Sequence, residues 1–345
     1  MKQEKRTEIS SIGEFGLIER ISRNTEALNE STVKGIGDDA AILDSSDKQR
    51  VLTTDMLLEG VHFDLAYMPL QHLGYKAVAV NVSDVAAMNA VPKQITVNIG
   101  LSNRMSVEAV DALYDGIKAA CKDYKVDLVG GDTTASYSGL VISVTAIGEA
   151  EAAKVVRRSG AQKGDIVCVT GDLGGAFIGL QVLAREKQEF VENPEMQPQL
   201  GTYSYIVQRQ LKPDARMDII HELAEQNIVP TSMIDVSDGL ASELLHICRN
   251  SGVGVQIYED KLPIDKQTYD TAVEFGIDPI TCVMNGGEDY ELLFTISQSE
   301  YEKLKNHMDI HFIGFVNEHA NQARLVTKGG NVVDIKAQGF THFKK

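Results

Sequence analysis

The chain has 345 residues, of which 43% are hydrophobic and 24% charged, so it has the composition of a folded protein large enough for two domains. Its 33 basic and 49 acidic side chains give a formal net charge of −16 at pH 7. A field of this sign repels nucleic acids and anionic membranes, and we expect neither as a partner. The same field repels phosphate esters unless bound cations lie between them and the protein.

The four cysteines lie far apart, at positions 121, 168, 248 and 282, and form no Cys-x-x-Cys pair. We interpret them as small buried hydrophobic residues in a reducing compartment rather than as disulfides or zinc ligands. The N-terminal sequence MKQEKRTEISSIGEF has no apolar core of a secretion signal, and no stretch approaches the ~18 apolar residues of a membrane helix. We therefore expect a cytoplasmic protein.

Strand-like and helix-like patterns alternate in the first half of the chain, which predicts a mixed α/β fold. Val-, Ile- and Thr-rich segments predict strands over Arg50–Thr54, Ile95–Leu101, Val126–Gly130 and Gly139–Gly148. Apolar residues at helical spacing predict helices over His72–Ala90 and Ser106–Tyr124, the second with Ser106 as its N-cap.

A polar, Gly-bearing stretch at 157–165 precedes a new apolar strand, Ile166–Thr170. We place a domain boundary near 150–160, which gives an N-terminal domain over 1–152 and a C-terminal domain over 153–345. Residues 186–213 are polar and contain prolines, so we expect them to form a surface excursion.

Short acidic segments follow several apolar runs, and each combines carboxylates with Gly, Ser or Thr. They contain Asp38 and Asp39, Asp55, Asp84, Asp132, Asp235 and Asp238, and Glu288 and Asp289. One such segment is a common turn or helix cap, and Asp238 is explained by the helical pattern that begins at Leu240. Six of them favour a shared site.

Asp84 lies on an apolar helical stripe with Ala77, Val80 and Met88, where a carboxylate is costly unless it is paired or bound to a cation. A helix-end amide, Lys76 or a metal ion would each satisfy it, and the other acidic segments favour the metal. Carboxylates without many His or Cys neighbours suit Mg²⁺ or Mn²⁺. Such ions can bridge acidic side chains to a nucleotide triphosphate.

The common nucleotide-binding signatures are absent from the sequence, including the P-loop and the protein-kinase motifs. The segment Gly171–Ala176 can offer backbone amides to a phosphate or form a plain tight turn. Arg157 and Arg158 are candidate phosphate contacts or a solvated basic pair. His62 is a candidate site residue or a surface or capping residue.

Taken in order, these segments resemble thiamine-monophosphate kinases over nearly the whole chain. The matching segments are GEFGLI from Gly13, GIGDDAA from Gly35, TTDMLLEGVHF from Thr53, AVAVNVSDVAAMNAVP from Ala77, VGGDTT from Val129, RRSGAQKGD from Arg157, TGDLGGA from Thr170, IDVSDGLASELLHI from Ile234, GGEDYEL from Gly286 and GFTHF from Gly339.

The resemblance implies the two-domain α/β architecture shared with aminoimidazole ribonucleotide synthetase and selenophosphate synthetase. In that architecture an N-terminal sheet domain forms a homodimer and a C-terminal α/β domain completes the substrate site. It also implies several Mg²⁺ ions and the reaction of ATP with thiamine phosphate to give ADP and thiamine diphosphate.

By the same resemblance, each site residue receives an expected role. The metal ligands are Asp39, Thr53, Thr54, Asp55, Asp84, Asp132, Asp235 and Asp238. The ATP contacts are Tyr114, Gly131, Asp132, Arg158 and Ser237, and the thiamine-phosphate contacts are His62, Glu288 and Phe340. Asp84, Asp132 and Arg158 are expected to serve catalysis directly. Without the resemblance, Phe340 reads as a core residue near the C-terminus.

Two other functions are alternatives to thiamine-monophosphate kinase activity. Within the superfamily, a selenophosphate synthetase needs a reactive Cys near its N-terminus, whereas the first here is Cys121; His62, Glu288 and the GFTHF tail argue against a cyclo-ligase. A noncatalytic nucleotide- or metal-binding protein is disfavoured by the intact acidic segments. The segment Lys212–Arg216 departs from the family pattern and receives no role.

Overall fold

A computed structural model of the protein describes residues 32–34, 38–45, 48–102 and 104–339. The described strands form two mixed sheets, one from each half of the chain, and helices pack against both. The predicted mixed α/β class is therefore confirmed.

The first sheet has the strand order β1-β2-β3-β6-β4-β5, in which β4 and β5 are parallel and the other neighbours antiparallel. Its strands are β1 (Thr32–Lys34), β2 (Ala41–Ser45), β3 (Lys48–Leu58), β4 (Val91–Leu101), β5 (Asp127–Ala135) and β6 (Val141–Ala150). Helix α1 (Leu70–Ala87) packs against β3 and β6, and helix α2 (Val107–Tyr124) packs against α1.

The four strands and two helices predicted in this half are all present, with shifted ends. β3 extends beyond the predicted Arg50–Thr54 in both directions. The helix predicted to reach Ala90 ends at Ala87. The N-cap prediction is confirmed, because the Ser106 hydroxyl accepts a hydrogen bond of 3.2 Å from the Ala109 amide.

The second sheet has the order β13-β12-β9-β11-β7-β10-β8, and its one parallel pair of neighbours in the described chain is β9 with β12. Its strands are β7 (Ile166–Thr170), β8 (Ser232–Asp235), β9 (Gly254–Tyr258), β10 (Leu292–Ile296), β11 (Ile310–Asn317), β12 (Ala323–Val326) and β13 (Val332–Asp334). The helices are α3 (Gly175–Glu192), α4 (Ser204–Leu211), α5 (Met217–Glu225), α6 (Leu240–Ser251), α7 (Lys266–Glu274), α8 (Pro279–Asn285) and α9 (Tyr301–Leu304).

The prediction that residues 186–213 form a surface excursion holds for most of that range, since residues 188–199 are all exposed, and is wrong for its end. Helix α3 continues to Glu192, and helix α4 buries Ile206, Val207, Gln210 and Leu211. Arg209 and Gln210 misled the prediction there, because their polar side chains bind Glu291 and Glu288 instead of facing water.

Helix α1 joins the two halves, since it also contacts β8, α4 and α5. Of its 18 residues, 14 are buried. One apolar cluster runs from α1 into the second half and includes Val82, Ile178, Ile206 and Met233. The two sheets therefore share a core.

The cysteines are free thiols, as expected; Cys121 is partly buried and the other three are buried. None of the helices in the described part of the chain is long and apolar enough to span a membrane.

Two glycines let α1 and α2 cross closely. A Cβ on Gly74 would lie 2.0 Å from the Leu113 carbonyl oxygen, and a Cβ on Gly116 would lie 1.8 Å from the Gln71 carbonyl oxygen. A backbone atom cannot move aside as the end of a flexible side chain can. Each helix therefore has a glycine at the point where the backbone of the other helix comes closest.

We expect Gly116→Ala to lower the free energy of unfolding by about 3 kcal/mol, because the added methyl group must push α1 and α2 apart. Urea unfolding followed by circular dichroism measures this. Gly201→Ala is the matched control, since a Cβ there has no atom within 4 Å. Equal losses in the two variants would contradict the packing argument.

Candidate active site

Three carboxylates meet at the junction of the two sheets. One oxygen from each of Asp39, Asp84 and Asp235 lies within 4.8 Å of the others. Asp39 precedes β2, Asp84 lies in the last turn of α1, and Asp235 ends β8. The site therefore exists only when the two halves pack together through α1.

Neighbouring polar side chains orient these carboxylates. The Thr53 hydroxyl donates to Asp84 Oδ2 and the Ser83 hydroxyl donates to Asp235 Oδ2, each at 2.6 Å. Asn81 Oδ1 accepts the Asp55 amide at 3.1 Å and so fixes β3 beside the helix.

Burial and mutual repulsion make this cluster hard to ionise. Burial, together with Asp55, Asp235 and Asp39, raises the pKa of Asp84 well above its ordinary value. Burial and the nearby Asp39 raise the pKa of Asp235 to about 8, and burial raises the pKa of Asp55 to about 6. The group therefore demands protons or cations near neutral pH.

The donor set fits a hard divalent cation. All three members of the cluster offer carboxylate oxygens, which Mg²⁺ and Mn²⁺ prefer over the nitrogen and sulfur that suit zinc. Asp84 accepts from Thr53, whereas Lys76, considered above as its partner, binds Glu288. Of the alternatives for Asp84, the ion pair with Lys76 is thus excluded.

Arg158 closes one side of the cluster. Its guanidinium donates to both oxygens of Asp39, at 2.9 and 2.6 Å, and its backbone amide donates to Asp38 Oδ1 at 2.9 Å. Of the pair Arg157 and Arg158, the second therefore faces the acidic cluster.

A cavity of about 670 Å³ opens beside the carboxylates, a size that suits a small-molecule ligand. The polar residues that line it include Asp55, Asp84, Asp235, Ser237, Asp238, His62 and Glu288. The apolar part of the wall includes Leu57, Phe63, Tyr67, Val80, Phe177 and Leu180. The wall of the cavity therefore combines charged and apolar side chains.

His62 combines the two roles considered for it. Its Nδ1 accepts the Leu58 amide at 3.0 Å, as a capping residue does, and the residue also lines the cavity. A neutral ring that accepts at Nδ1 carries its proton on Nε2.

The segment Gly286 to Glu291 supplies acidic groups that are neutralised from within the protein. Glu288 binds Lys76 Nζ at 3.0 Å and Gln210 Nε2 at 2.8 Å. Glu291 binds Arg209 at 2.8 Å and Arg216 at 2.7 Å. Arg216, which received no role from the sequence, therefore holds this segment in place.

The Gly171–Ala176 loop behaves as a structural turn. The amides of Gly174 and Ala176, at the start of α3, donate to Asp289 at 2.7 and 3.2 Å. The Asp289 carboxylate thus occupies the start of α3, which the sequence offered as a possible phosphate site.

Two predicted metal ligands lie on the opposite face of the first sheet. Thr53 and Asp55 point toward α1, so Thr54, which lies between them on β3, points away. Asp132 pairs with Asn98 on β4, and strands β4 and β6 separate it from β3, a span of about 14 Å at three strand spacings. Their metal role stays a prediction.

The remaining predicted ATP contacts lie away from the cavity lining. Tyr114 is partly buried on α2 and packs against the core. Gly131 on β5 is required by close packing, because a Cβ there would lie 1.8 Å from the Val97 carbonyl oxygen. Phe340 falls outside the described residues.

The sequence did not single out several residues that organise the site. Asn81 and Ser83 precede Asp84 in the same acidic segment, so their position beside it could have identified them as site residues. Glu243 is 2% exposed and accepts the Asp238 amide at 2.9 Å, and its place among the leucines of α6 was a second signal. Gln210 gave no signal, because its surroundings are polar.

Comparison with known proteins identifies the class of protein to which this chain belongs. The family models "AIR synthase related protein, N-terminal domain" and "AIR synthase related protein, C-terminal domain" match residues 37–150 and 162–302. Hydrogenase maturation protein HypE in complex with ATP, at 18% identity and a TM-score of 0.68, shares the fold. The chain is thus a two-domain AIR synthase related protein.

Three further matches narrow the class. Thiamine-monophosphate kinase of Aquifex aeolicus is 38% identical over 90% of this chain and 93% of its own length, and that of Bacillus subtilis is 35% identical over 96% and 99%. A solved structure described as AaThiL complexed with AMPPCP and TMP has a TM-score of 0.84 and 34% identity, covering 99% of this chain and all of that one. The chain belongs to the thiamine-monophosphate kinase family.

The raised pKa of Asp84 predicts a stabilising substitution. Without divalent cations, Asp84→Asn should raise the melting temperature by about 2–4 °C, because a neutral amide removes a repelled, desolvated carboxylate. The wild type loses this stability as pH rises above the unfolded pKa of aspartate, about 3.9, toward the raised folded value, so the gain should grow as pH rises from about 4.

Scanning calorimetry in EDTA measures the effect. Asp270→Asn, on exposed helix α7, is the matched control and should leave the melting temperature unchanged. A lower melting temperature for Asp84→Asn would contradict the repulsion argument.

Proposed function

We propose that this protein transfers the γ-phosphoryl group of ATP to thiamine phosphate and so forms thiamine diphosphate and ADP. The observation that carries the proposal is the convergence of Asp39, Asp84 and Asp235, of which Asp84 and Asp235 line a cavity whose wall is also partly apolar. Family membership and the two ligands of the AaThiL complex support the choice of ATP and thiamine phosphate.

Asp39, Asp84 and Asp235, with Asp55 beside them, are the residues that would hold Mg²⁺. Bound there, Mg²⁺ supplies charge neutralisation and orientation for the phosphate oxygens. By resemblance to the family, Thr53 and Asp238 are further proposed ligands, as are Thr54 and Asp132, which lie on the opposite face of the first sheet.

The reaction is an in-line displacement. An oxygen of the acceptor phosphate forms a bond to the γ-phosphorus of ATP while the bond from that phosphorus to the β,γ-bridging oxygen breaks, and ADP leaves with the electron pair. The second pKa of a phosphate monoester is about 6, so the attacking oxygen is already ionised at neutral pH and needs no general base.

The side chains of the chain then bind and orient the two phosphates. Asp39 holds the Arg158 guanidinium in a fixed plane at the edge of the cluster, where its remaining N–H groups suit phosphate oxygens. Ser237, Tyr114 and Gly131 are the other proposed ATP contacts. His62, Glu288 and Phe340 are the proposed contacts of thiamine phosphate.

Acceptor specificity gives the first test. ADP release should require thiamine phosphate and should be matched by thiamine diphosphate formation, while free thiamine and no acceptor should give background rates. A coupled ADP assay with chromatography of the products measures both. ADP formed equally without an acceptor would overturn the proposal.

Asp84→Asn should lower kcat by about 100-fold or more, because the phosphates lose a charged group that positions their counterions. Steady-state kinetics over a range of Mg²⁺ concentrations measures this, with Asp270→Asn as the control. Full activity of Asp84→Asn at low Mg²⁺ would remove Asp84 from the site.

We also propose the domain limits 1–152 and 153–345 and a homodimer formed through the outer face of the first sheet. Thr54, Met56 and Asn98 on that face are exposed, as is the whole of β5. Association through the N-terminal sheets is the arrangement that the family resemblance implies.

Thr145→Arg should convert a dimer to monomers, because it places a charge at the centre of that face on β6. Analytical ultracentrifugation measures the mass, and Thr202→Arg, at an exposed position of the second half, is the control. A monomeric wild type would overturn this proposal and leave the assignment of the reaction in place.

A further inference from the structure

Lys76 is a buried lysine whose charge needs an explanation. Its side chain is 1% exposed, in the middle of α1. Its ammonium group donates at 3.0 Å to Glu288 Oε2 and at 3.0 Å to the Gln210 backbone oxygen. Well-packed apolar residues are often as stabilising as a buried ion pair, so stability alone does not account for a charge at this position.

The Glu288 carboxylate is held from three directions. Oε2 accepts from Lys76 on α1 and from Gln210 Nε2 on α4, the second at 2.8 Å. The Glu288 backbone has a left-handed φ of 58°, and its amide donates to the Ser237 oxygen at 2.7 Å. Such over-determined geometry is typical of functional positions.

These contacts leave the Oε1 side of the Glu288 carboxylate accessible to a ligand. Both short contacts are to Oε2, whereas Oε1 lies 3.4 Å from the Tyr290 hydroxyl, and Glu288 lines the 670 Å³ cavity. The Glu288 side chain is 30% exposed, so a molecule in the cavity can reach it.

The electrostatics agree with this geometry. Burial alone would raise the pKa of Glu288, but the charge of Lys76 and the hydrogen bonds from Lys76 and Gln210 hold it below its ordinary value. An ionised carboxylate therefore faces a cavity whose neighbouring wall contains Val80, Phe177 and Leu180. This environment favours a flat ligand group that is cationic or carries N–H donors.

We propose that Lys76 is a positioning residue for the phosphate acceptor: it fixes the Glu288 carboxylate and balances its charge, so that Oε1 meets the cationic or N–H-bearing ring portion of that acceptor. The inference rests on the proposed function, which gives the acceptor its rings. Lys76 itself does not touch the substrate. Because it lies in the first half of the chain and Glu288 in the second, acceptor recognition depends on how the halves pack.

Lys76→Met tests this, since it keeps the length of the side chain and removes the charge. We expect KM for thiamine phosphate to rise about tenfold while KM for ATP changes less than about twofold, because the damaged contact concerns the acceptor alone. Lys163→Met, which removes an exposed lysine paired with Glu318, is the matched control and should change neither constant. An unchanged KM for thiamine phosphate in Lys76→Met overturns the proposal.

A double-substitution cycle separates positioning from general destabilisation. If Lys76 acts through Glu288, adding Lys76→Met to Glu288→Gln should raise KM by less than about twofold beyond Glu288→Gln alone. Effects that multiply in the double variant would show that Lys76 acts elsewhere, and would overturn the proposal.

Two further measurements test the role of Lys76 if the Lys76→Met variant turns over poorly or does not fold. Calorimetric titration of thiamine phosphate in the absence of ATP should show about tenfold weaker binding to Lys76→Met, whatever the turnover. If Lys76→Met does not fold, Gln210→Leu, which removes the other donor to Oε2, should raise KM about threefold, and no change there overturns the proposal. A wild type that binds thiamine phosphate without forming thiamine diphosphate contradicts the proposed function alone.

Discussion

The rest of the structure depends on the burial of helix α1 from all sides. With 14 of its 18 residues buried, the helix must be covered by the first sheet on one side and by β8, α4 and α5 on the other. Each polar residue in such a helix needs a partner from whichever half it faces. Lys76, Ser83 and Asp84 find those partners, and their positions bring the acidic groups of both halves together.

The acidic groups fall into two sets with different electrostatic solutions. Glu288 and Glu291 are neutralised by lysine and arginine side chains of the chain. The carboxylates of Asp84 and Asp235 are held by hydroxyl groups, and their pKa values are raised. The acids of the first set are paired within the protein, whereas the carboxylates of the second set demand protons or cations near neutral pH, and the proposed phosphoryl transfer would use the cations.

Periodicity predicted the strands and helices of the first half well, because apolar residues there alternate or repeat as burial requires. It failed in the α4 region, where polarity reflects internal pairing: Arg209 and Gln210 face Glu291 and Glu288. Local patterns located Asp84 and Asp235, but could not show that Asp39 meets Arg158, a contact between distant segments. They also could not separate Thr53 from Thr54, whose opposite directions follow from the strand's two faces.

The shared core has a consequence for how the chain folds. A fragment that ended at residue 152 would retain α1 and α2, yet the surface of α1 that meets Ile178, Ile206 and Met233 would then face water. Such a fragment would be prone to aggregate, and the second half alone would lack a cover for the same side chains. The domains defined by sequence families are therefore not independent folding units here, and chain synthesis must reach β8 before the central helix of the first half can be fully buried.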